Sequence, residues 1–246
     1  MKFKDLLKGL ISLVFPADCK ICGAPLEPLN GSLICESCWS KVKWINPPYC
    51  PSCSKPFPPS EVFQSFPFSL CLECQKEHPY FKRVFVPTLY KGVMKKAIHL
   101  FKYERKMNLI QGMKKIVKIY LDNNRGIFPY LDLVVSVPLH RKKLKERGFN
   151  QAELLAKVIA KHFNLKLVKN NLKRVKSTQS QAKLSKRERI ENIKKAFLIK
   201  NTERFRGKSV LLVDDVYTTG TTVNEIAKIL KRAKAKNIYV FTLARA

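Results

Sequence analysis

Eight cysteines, all before residue 75 and all in Cys-x-x-Cys pairs, constrain this chain more than any other feature. Cys19/Cys22, Cys35/Cys38, Cys50/Cys53 and Cys71/Cys74 leave none over. Two residues between thiolates let a tight turn aim both sulfurs at one tetrahedral ion, so four pairs supply two sites of four sulfurs each. Two structural zinc ions fit the count, and with every coordination position taken by sulfur they hold no catalytic water. Pairing in chain order groups Cys19, Cys22, Cys35 and Cys38 apart from Cys50, Cys53, Cys71 and Cys74, as in zinc ribbons; an interleaved arrangement satisfies the same count. Gly23 follows Cys22 where a metal knuckle turns left-handed. Trp39, Trp44, Tyr49 and Phe57 are available for a small core beside the metal. The turn-like spacing disfavours a disulfide framework.

The 246 residues are 46% hydrophobic, enough for one ordinary domain and a small one. Lys and Arg number 48 against 18 Asp and Glu, a formal charge of +30. Such an excess repels itself unless a polyanion is the partner, and nucleic acid leads that class. In residues 1–15, Phe3, Leu6, Leu7, Leu10, Leu13 and Val14 recur at helical spacing. Lys8 interrupts the apolar run and no small-residue cleavage site follows, so a packed amphipathic helix is expected there rather than a secretion signal. No stretch reaches membrane-spanning length. Stable membrane insertion is therefore not expected, and a cytoplasmic location is.

A domain boundary is expected near residue 80, dividing an N-terminal helix and double zinc module (1–80) from an α/β domain (81–246). Beyond it, residues 84–90, 132–139, 210–213 and 238–243 read as strands. Residues 94–103, 109–121, 150–163 and 223–233 read as helices. Short apolar strands alternating with helices imply a parallel sheet covered on both faces. Ligands of such sheets sit beyond the carboxyl ends of the strands.

At one of those ends, Val210-Leu211-Leu212-Val213 runs into Asp214 and Asp215, then into Thr218, Thr219, Gly220, Thr221 and Thr222 opening a helix. Hydroxyls and free N–H groups at a helix N-terminus suit a phosphate. Two carboxylates would repel that phosphate, so they must meet something else, such as sugar hydroxyls or Mg²⁺. Phosphate and diol together describe a ribose 5-phosphate. Two further segments reach the same rim. Ser136-Val137-Pro138-Leu139-His140-Arg141 precedes the cationic run Lys142, Lys143, Lys145 and Arg147, which suits a pyrophosphate. Residues 174–192, with Arg174, Lys176 and Arg189, are polar and glycine-free and read as a lid.

The 210–222 segment resembles the signature by which type I phosphoribosyltransferases bind 5-phosphoribosyl 1-pyrophosphate (PRPP). A wider resemblance rests on Leu13-Val14-Phe15-Pro16 before Cys19, Tyr90-Lys91-Gly92, Phe101-Lys102-Tyr103, Val137-Pro138-Leu139, Arg147-Gly148-Phe149-Asn150-Gln151 with Leu154-Leu155-Ala156, and Thr178, Gln181, Leu184, Arg189, Asn192 and Ala196-Phe197. By these the chain is similar to the ComF family, which includes GntX-like proteins. The resemblance implies a type I phosphoribosyltransferase-like domain behind a zinc module, a pentosyltransferase activity on an acceptor the sequence does not name, and a role in DNA uptake during natural competence. It also implies contact with single-stranded DNA and a competence helicase as a partner. Asp214 and Asp215 are the expected catalytic pair, holding PRPP with Mg²⁺ together with 218–222. Ser136, Pro138, His140, Arg141, Arg147, Arg174, Lys176 and Arg189 are candidates for the pyrophosphate end and lid. Two other readings stand beside this one: a PRPP sensor without turnover, and a nucleic-acid adaptor whose ribbons stack single strands on Trp39, Trp44 or Tyr49.

Overall fold

The computed structural model describes residues 17–27, 31–58, 69–176 and 193–246. The helix expected over 1–15, most of the Pro-rich segment 56–67 and all of the expected lid beyond residue 176, including Arg189, lie outside them.

The N-terminal part is a repeat of one metal-binding unit. In the first unit β1 (Ala17–Asp18) pairs antiparallel with β2 (Pro25–Leu26), and α1 (Glu36–Trp39) follows. In the second, α2 (Leu72–Glu77) takes the place of α1. Each unit opens on a knuckle: the Gly23 amide donates to Cys19 O at 2.9 Å and the Ser54 amide to Cys50 O at 2.8 Å. Gly23 has φ +74° and Ser54 φ +55°. The expected left-handed position is therefore present twice, filled once by a serine. Each unit closes with a cysteine, Cys35 or Cys71, in extended backbone at the N-cap of a short helix.

The rest is a parallel sheet. Its strands are β3 (Arg83–Phe85), β4 (Thr88–Leu89), β5 (Leu133–Ser136), β6 (Lys166–Val168), β9 (Ser209–Tyr217) and β10 (Asn237–Arg245), in spatial order β3-β10-β9-β5-β6 with β4 extending the β3 side of β10. The single strand expected over 84–90 is split at Val86-Pro87, where proline has no N–H for the ladder. The central pair β9 and β10 is apolar because it is covered on both faces, and its residues alternate between two cores. Leu211, Val213, Phe241 and Leu243 face one; Val210, Leu212, Ile238 and Val240 face the other. The first core is completed by α3 (Gly92–Tyr103), α4 (Ile110–Asn123) and α6 (Gln151–His162). The second is completed by α7 (Thr221–Arg232), whose Val223, Ile226, Ala227 and Leu230 form one buried stripe.

The two zinc units straddle one edge of this sheet. Cys19, Ile34, Cys38 and Val42 join the first core, whereas Ile45, Cys50, Cys53, Cys71 and Cys74 join the second. Between them the chain follows the β3/β4 edge: Ile45 N donates to Pro87 O (2.9 Å), Leu89 N to Lys43 O (2.9 Å) and Val84 N to Ser52 O (2.7 Å). An exposed row of ladder groups is thereby covered. Trp39 and Trp44 pack onto the first shared core and Tyr49 and Phe57 onto the second, instead of closing a core of their own.

Two elements come as additions to the sequence reading. The run 141–147 is a helix, α5 (Arg141–Arg147), and β7 (Leu172–Arg174) pairs antiparallel with β8 (Phe197–Ile199) at the two ends of the expected lid.

Candidate functional site

At the carboxyl end of β9 the ladder continues past the acids. Asp214 is opposite Thr242, and Val216 and Tyr217 still pair with Ala244 and Arg245. This pairing fixes where both carboxylates stand. Asp214 Oδ1 accepts from the amide of Asp215 at 2.9 Å, and Asp215 Oδ2 meets Lys102 Nζ at 2.6 Å. Lys102 arrives from the last turn of α3. Burial pulls its ammonium down, and the Asp215 and Asp214 carboxylates together more than reverse this, leaving it raised. Asp214 is pushed up to about 7, chiefly by burial and then by Asp215, with Lys102 opposing.

The turn after β9 depends on Gly220, at φ +76°. A Cβ there would lie 2.3 Å from the Tyr217 hydroxyl. Positive φ and the tyrosine ring each demand glycine. Thr219 and Thr221 share a hydroxyl contact of 2.8 Å, and α7 starts immediately. Its first turn stands at the positive end of the helix dipole.

A cleft of about 260 Å³ joins these groups to a set of cations. Asp214, Asp215, Thr218, Gly220, Thr221 and Thr222 line it together with Lys143, Arg147, Arg174 and Lys102, the last already paired with Asp215. On α5, Lys143 and Arg147 are one helical turn apart and face inward, so Arg141, Lys142 and Lys145 are left exposed on the far side. Lys143 is lowered by burial and by its neighbours Arg174 and Arg147. Arg174 is lowered by burial and stacks over the Phe197 ring at 5.6 Å. Mutually repelling cations of this kind are a seat for a polyanion.

Pro138 lines the cleft. Ser136, the last residue of β5, pairs with Val213 and does not line it. His140 caps α5, its Nδ1 accepting from the Lys142 amide at 3.3 Å, and bridges to Arg174 in the backbone. Lys176 donates to Lys194 O at 3.1 Å, away from the lining. Thr219 opens onto a neighbouring cavity on the zinc-module side of the loop. Arg189 lies outside the described residues. Sequence reasoning gave no site role to Lys102, Tyr90, Tyr103, Asn150 or Gln151, all of which line the cleft. Asn150 has two tasks, capping α6 through the Ala152 amide (3.1 Å) and donating to Val137 O (3.0 Å), which ties the 136–140 turn to that helix. Gln151 Oε1 accepts from Arg147 at 3.2 Å, and Arg147 also lies 5.3 Å over the Tyr103 ring.

The cysteines form two four-sulfur clusters paired in chain order: Cys19, Cys22, Cys35, Cys38, and Cys50, Cys53, Cys71, Cys74. Sulfur separations of 3.8 Å (Cys19–Cys38), 3.7 Å (Cys22–Cys35) and 3.6 Å (Cys53–Cys71) suit a tetrahedral ion whose bonds to sulfur are about 2.3 Å. The two units repeat even a backbone contact, Cys35 N to Cys19 Sγ and Cys71 N to Cys50 Sγ, both 3.4 Å. Four sulfurs with amide donors and no open position describe a structural zinc site, present twice.

Comparison with known proteins agrees with both halves. The double zinc ribbon domain family matches residues 10–75, and the phosphoribosyl transferase domain family matches residues 146–246. Competence protein F of Haemophilus influenzae is 30% identical over 216 residues, 87% of this chain and 90% of that protein. The chain belongs to the ComF family. Other similar members are the DNA utilization protein YhgH of Escherichia coli K12, 29% identical over 95% of this chain and 99% of that protein, and competence protein ComFC of Bacillus subtilis, 28% identical over 87% and 84%. In this ComF-family chain the phosphoribosyl transferase match covers the acid pair, the threonine loop and Arg174, while Lys102, which reaches the acids from α3, lies before it. Among the described residues no helix is long and apolar enough to cross a membrane.

Proposed function

We propose that the cleft at the end of β9 binds PRPP together with Mg²⁺, and that the protein is a phosphoribosyltransferase that serves DNA uptake. The observation that carries this reading is that the acid pair and the threonine loop share one cleft with Lys102, Lys143, Arg147 and Arg174. A molecule that carries a phosphate, a diol and a pyrophosphate matches that set of groups. The amides and hydroxyls of 218–222 hold the 5-phosphate, and Asp214 and Asp215 accept from the ribose hydroxyls. The cations, Arg174 and Arg147 among them, take the pyrophosphate; Mg²⁺ bound with the ligand offsets charge on that leaving group. Departure of pyrophosphate leaves oxocarbenium character on the anomeric carbon, which an acceptor attacks.

The division at residue 80 makes the first part a metal-held clamp on the sheet edge and the second the ligand-binding part. Single-stranded DNA is the partner that suits a charge of +30 and relatives named for competence and DNA utilization; the cytoplasm, where incoming strands meet a competence helicase, is the setting. The adaptor reading is weaker, because the residues it offers for stacking are packed against the shared cores, Trp39 and Trp44 on the first and Tyr49 on the second.

Calorimetric titration of the zinc-loaded chain with PRPP and Mg²⁺ tests the reading. Binding is expected and should be lost in the Asp214→Asn/Asp215→Asn double variant; equal affinity of the two proteins refutes the role of the acids. Pyrophosphate release on adding bases, nucleotides or single-stranded DNA separates transferase from sensor.

A further inference from the structure

Arg245 presents a puzzle that the ligand cleft does not solve. It is a charged residue at the end of β10, 7% exposed, and among the described residues no carboxylate forms an ion pair with it. A buried, uncompensated guanidinium is costly. Its Nη1 donates instead to the carbonyl of Cys53 at 2.7 Å, and its guanidinium lies 4.8 Å over the ring of Tyr217. Cys53 is one of the four sulfurs of the second cluster. Four thiolates around a divalent ion carry a net charge of −2, so the metal-loaded cluster supplies the counter-charge that no carboxylate provides.

The other side of Tyr217 leads to the ligand site. Its ring stands edge-on to Phe81, with centroids 6.4 Å apart, and its hydroxyl occupies the space where a side chain on Gly220 would be. The Tyr217 carbonyl is held by the Ala246 amide at 2.9 Å, and the Arg245 carbonyl by the Tyr90 amide at 2.6 Å. Both links fix the strand ends while leaving the ring to set the loop. A contiguous path therefore runs from Cys53 O through the Arg245 guanidinium and the Tyr217 ring to the backbone of Gly220.

We propose that Arg245 is a positioning residue through which the second zinc cluster holds the 218–222 loop in its ligand-ready shape. The second zinc unit then governs the phosphate end of the cleft, and the first does not. Loading or loss of the second ion switches the loop between held and loose, with no contact between metal and ligand. The proposal deepens the phosphate assignment of that loop, yet it is testable without any ligand.

Hydrogen–deuterium exchange on the full chain, without PRPP, is the deciding measurement. Amides 218–222 are expected to exchange about 10-fold faster in Arg245→Met than in the zinc-loaded parent, with Arg245→Lys intermediate because it keeps the charge and loses the planar contact. Cys74→Ser, in the second cluster, should loosen the same amides, whereas Cys22→Ser, in the first, should not. Metal analysis should show each cysteine variant losing one zinc. Unchanged exchange in a folded Arg245→Met chain overturns the proposal, as does equal loosening by the two cysteine variants. If Arg245→Met does not fold, the cysteine pair still decides. A parent that fails to bind PRPP would sink the ligand assignment and leave this exchange result standing.

Discussion

Replacing Gly220 with alanine should damage both stability and ligand binding, by an amount the local geometry sets. The residue sits at φ +76°, where an L side chain costs about 1–2 kcal/mol. The added methyl would also lie 2.3 Å from the Tyr217 hydroxyl, 2.7 Å from its Cζ and 3.1 Å from its Cε2. Tyr217 is 7% exposed, with Arg245 over its ring and Phe81 at its edge, so it cannot swing aside freely. Overpacking of this kind typically costs about 1–3 kcal/mol. Together the two give a loss of about 2–5 kcal/mol, readable as a fall in the denaturation midpoint with unchanged slope in urea. Tyr217→Phe removes the 2.3 Å contact, leaves the 2.7 and 3.1 Å ones, and gives up the hydroxyl's hydrogen bond with Arg245. In the Gly220→Ala background it should return part of the packing loss and none of the backbone strain, making the two substitutions non-additive. A Gly220→Ala protein within about 0.5 kcal/mol of the parent, or strictly additive substitutions, would refute the account.

Asp214 links binding to pH. Its carboxyl is raised from 3.8 to about 7 in the ligand-free fold, so the folded chain keeps a proton that the unfolded chain releases. The group favours folding in acid and loses that contribution as pH climbs from about 4 to about 7. Ribose binding, which needs the carboxylate, should run the other way, about 10-fold tighter at pH 8 than at pH 6 by titration calorimetry, and flat in Asp214→Asn. Lys102→Met removes a cation that holds Asp214 down, so the binding midpoint should move to higher pH; leaving Asp215 buried without its partner should also cost up to about 3 kcal/mol in urea denaturation. Gly112→Ala would place a methyl 2.3 Å from Trp39 Cζ2 and should lift the first zinc unit from α4, seen as a red-shifted tryptophan emission and a loss of about 1–3 kcal/mol.

The parts of the fold legible in sequence are those where burial writes a period into the chain. The alternation of β9 between two cores leaves an unbroken apolar run, and the stripe Val223, Ile226, Ala227, Leu230 leaves a helical one. The knuckles were equally legible, because metal geometry fixes cysteine spacing directly. Where no apolar residue is involved the pattern is silent. Helix α5 buries nothing and is delimited by the His140 cap and by Gly148 at φ +79°, so it reads as a charge run. Strand β9 extends through Asp214 to Tyr217 because β10 pairs with it, a backbone fact that the polar side chains conceal. Lys102 is the most informative omission. It is a charge at the end of an apolar helix, and its purpose exists only once α3 is laid beside the acids of β9, more than a hundred residues later in the chain.

The repeat in the zinc module gains its meaning from the sheet it grips. A parallel sheet has two faces, and its β3/β4 edge offers unpaired backbone that one metal-held unit could cover on one side only. Two copies, joined by a segment running along the edge, reach both faces, and from that point their surroundings force them apart. The first meets the helical layer and sets Trp39 against Gly112, where any larger residue would collide. The second meets the end of β9 and β10, where Arg245 donates to the Cys53 carbonyl and lies over Tyr217. Identical ligand sets therefore have unequal consequences. Loss of the first ion removes a docking contact on α4, while loss of the second withdraws the charge that Arg245 faces and, with it, the wall behind the threonine loop.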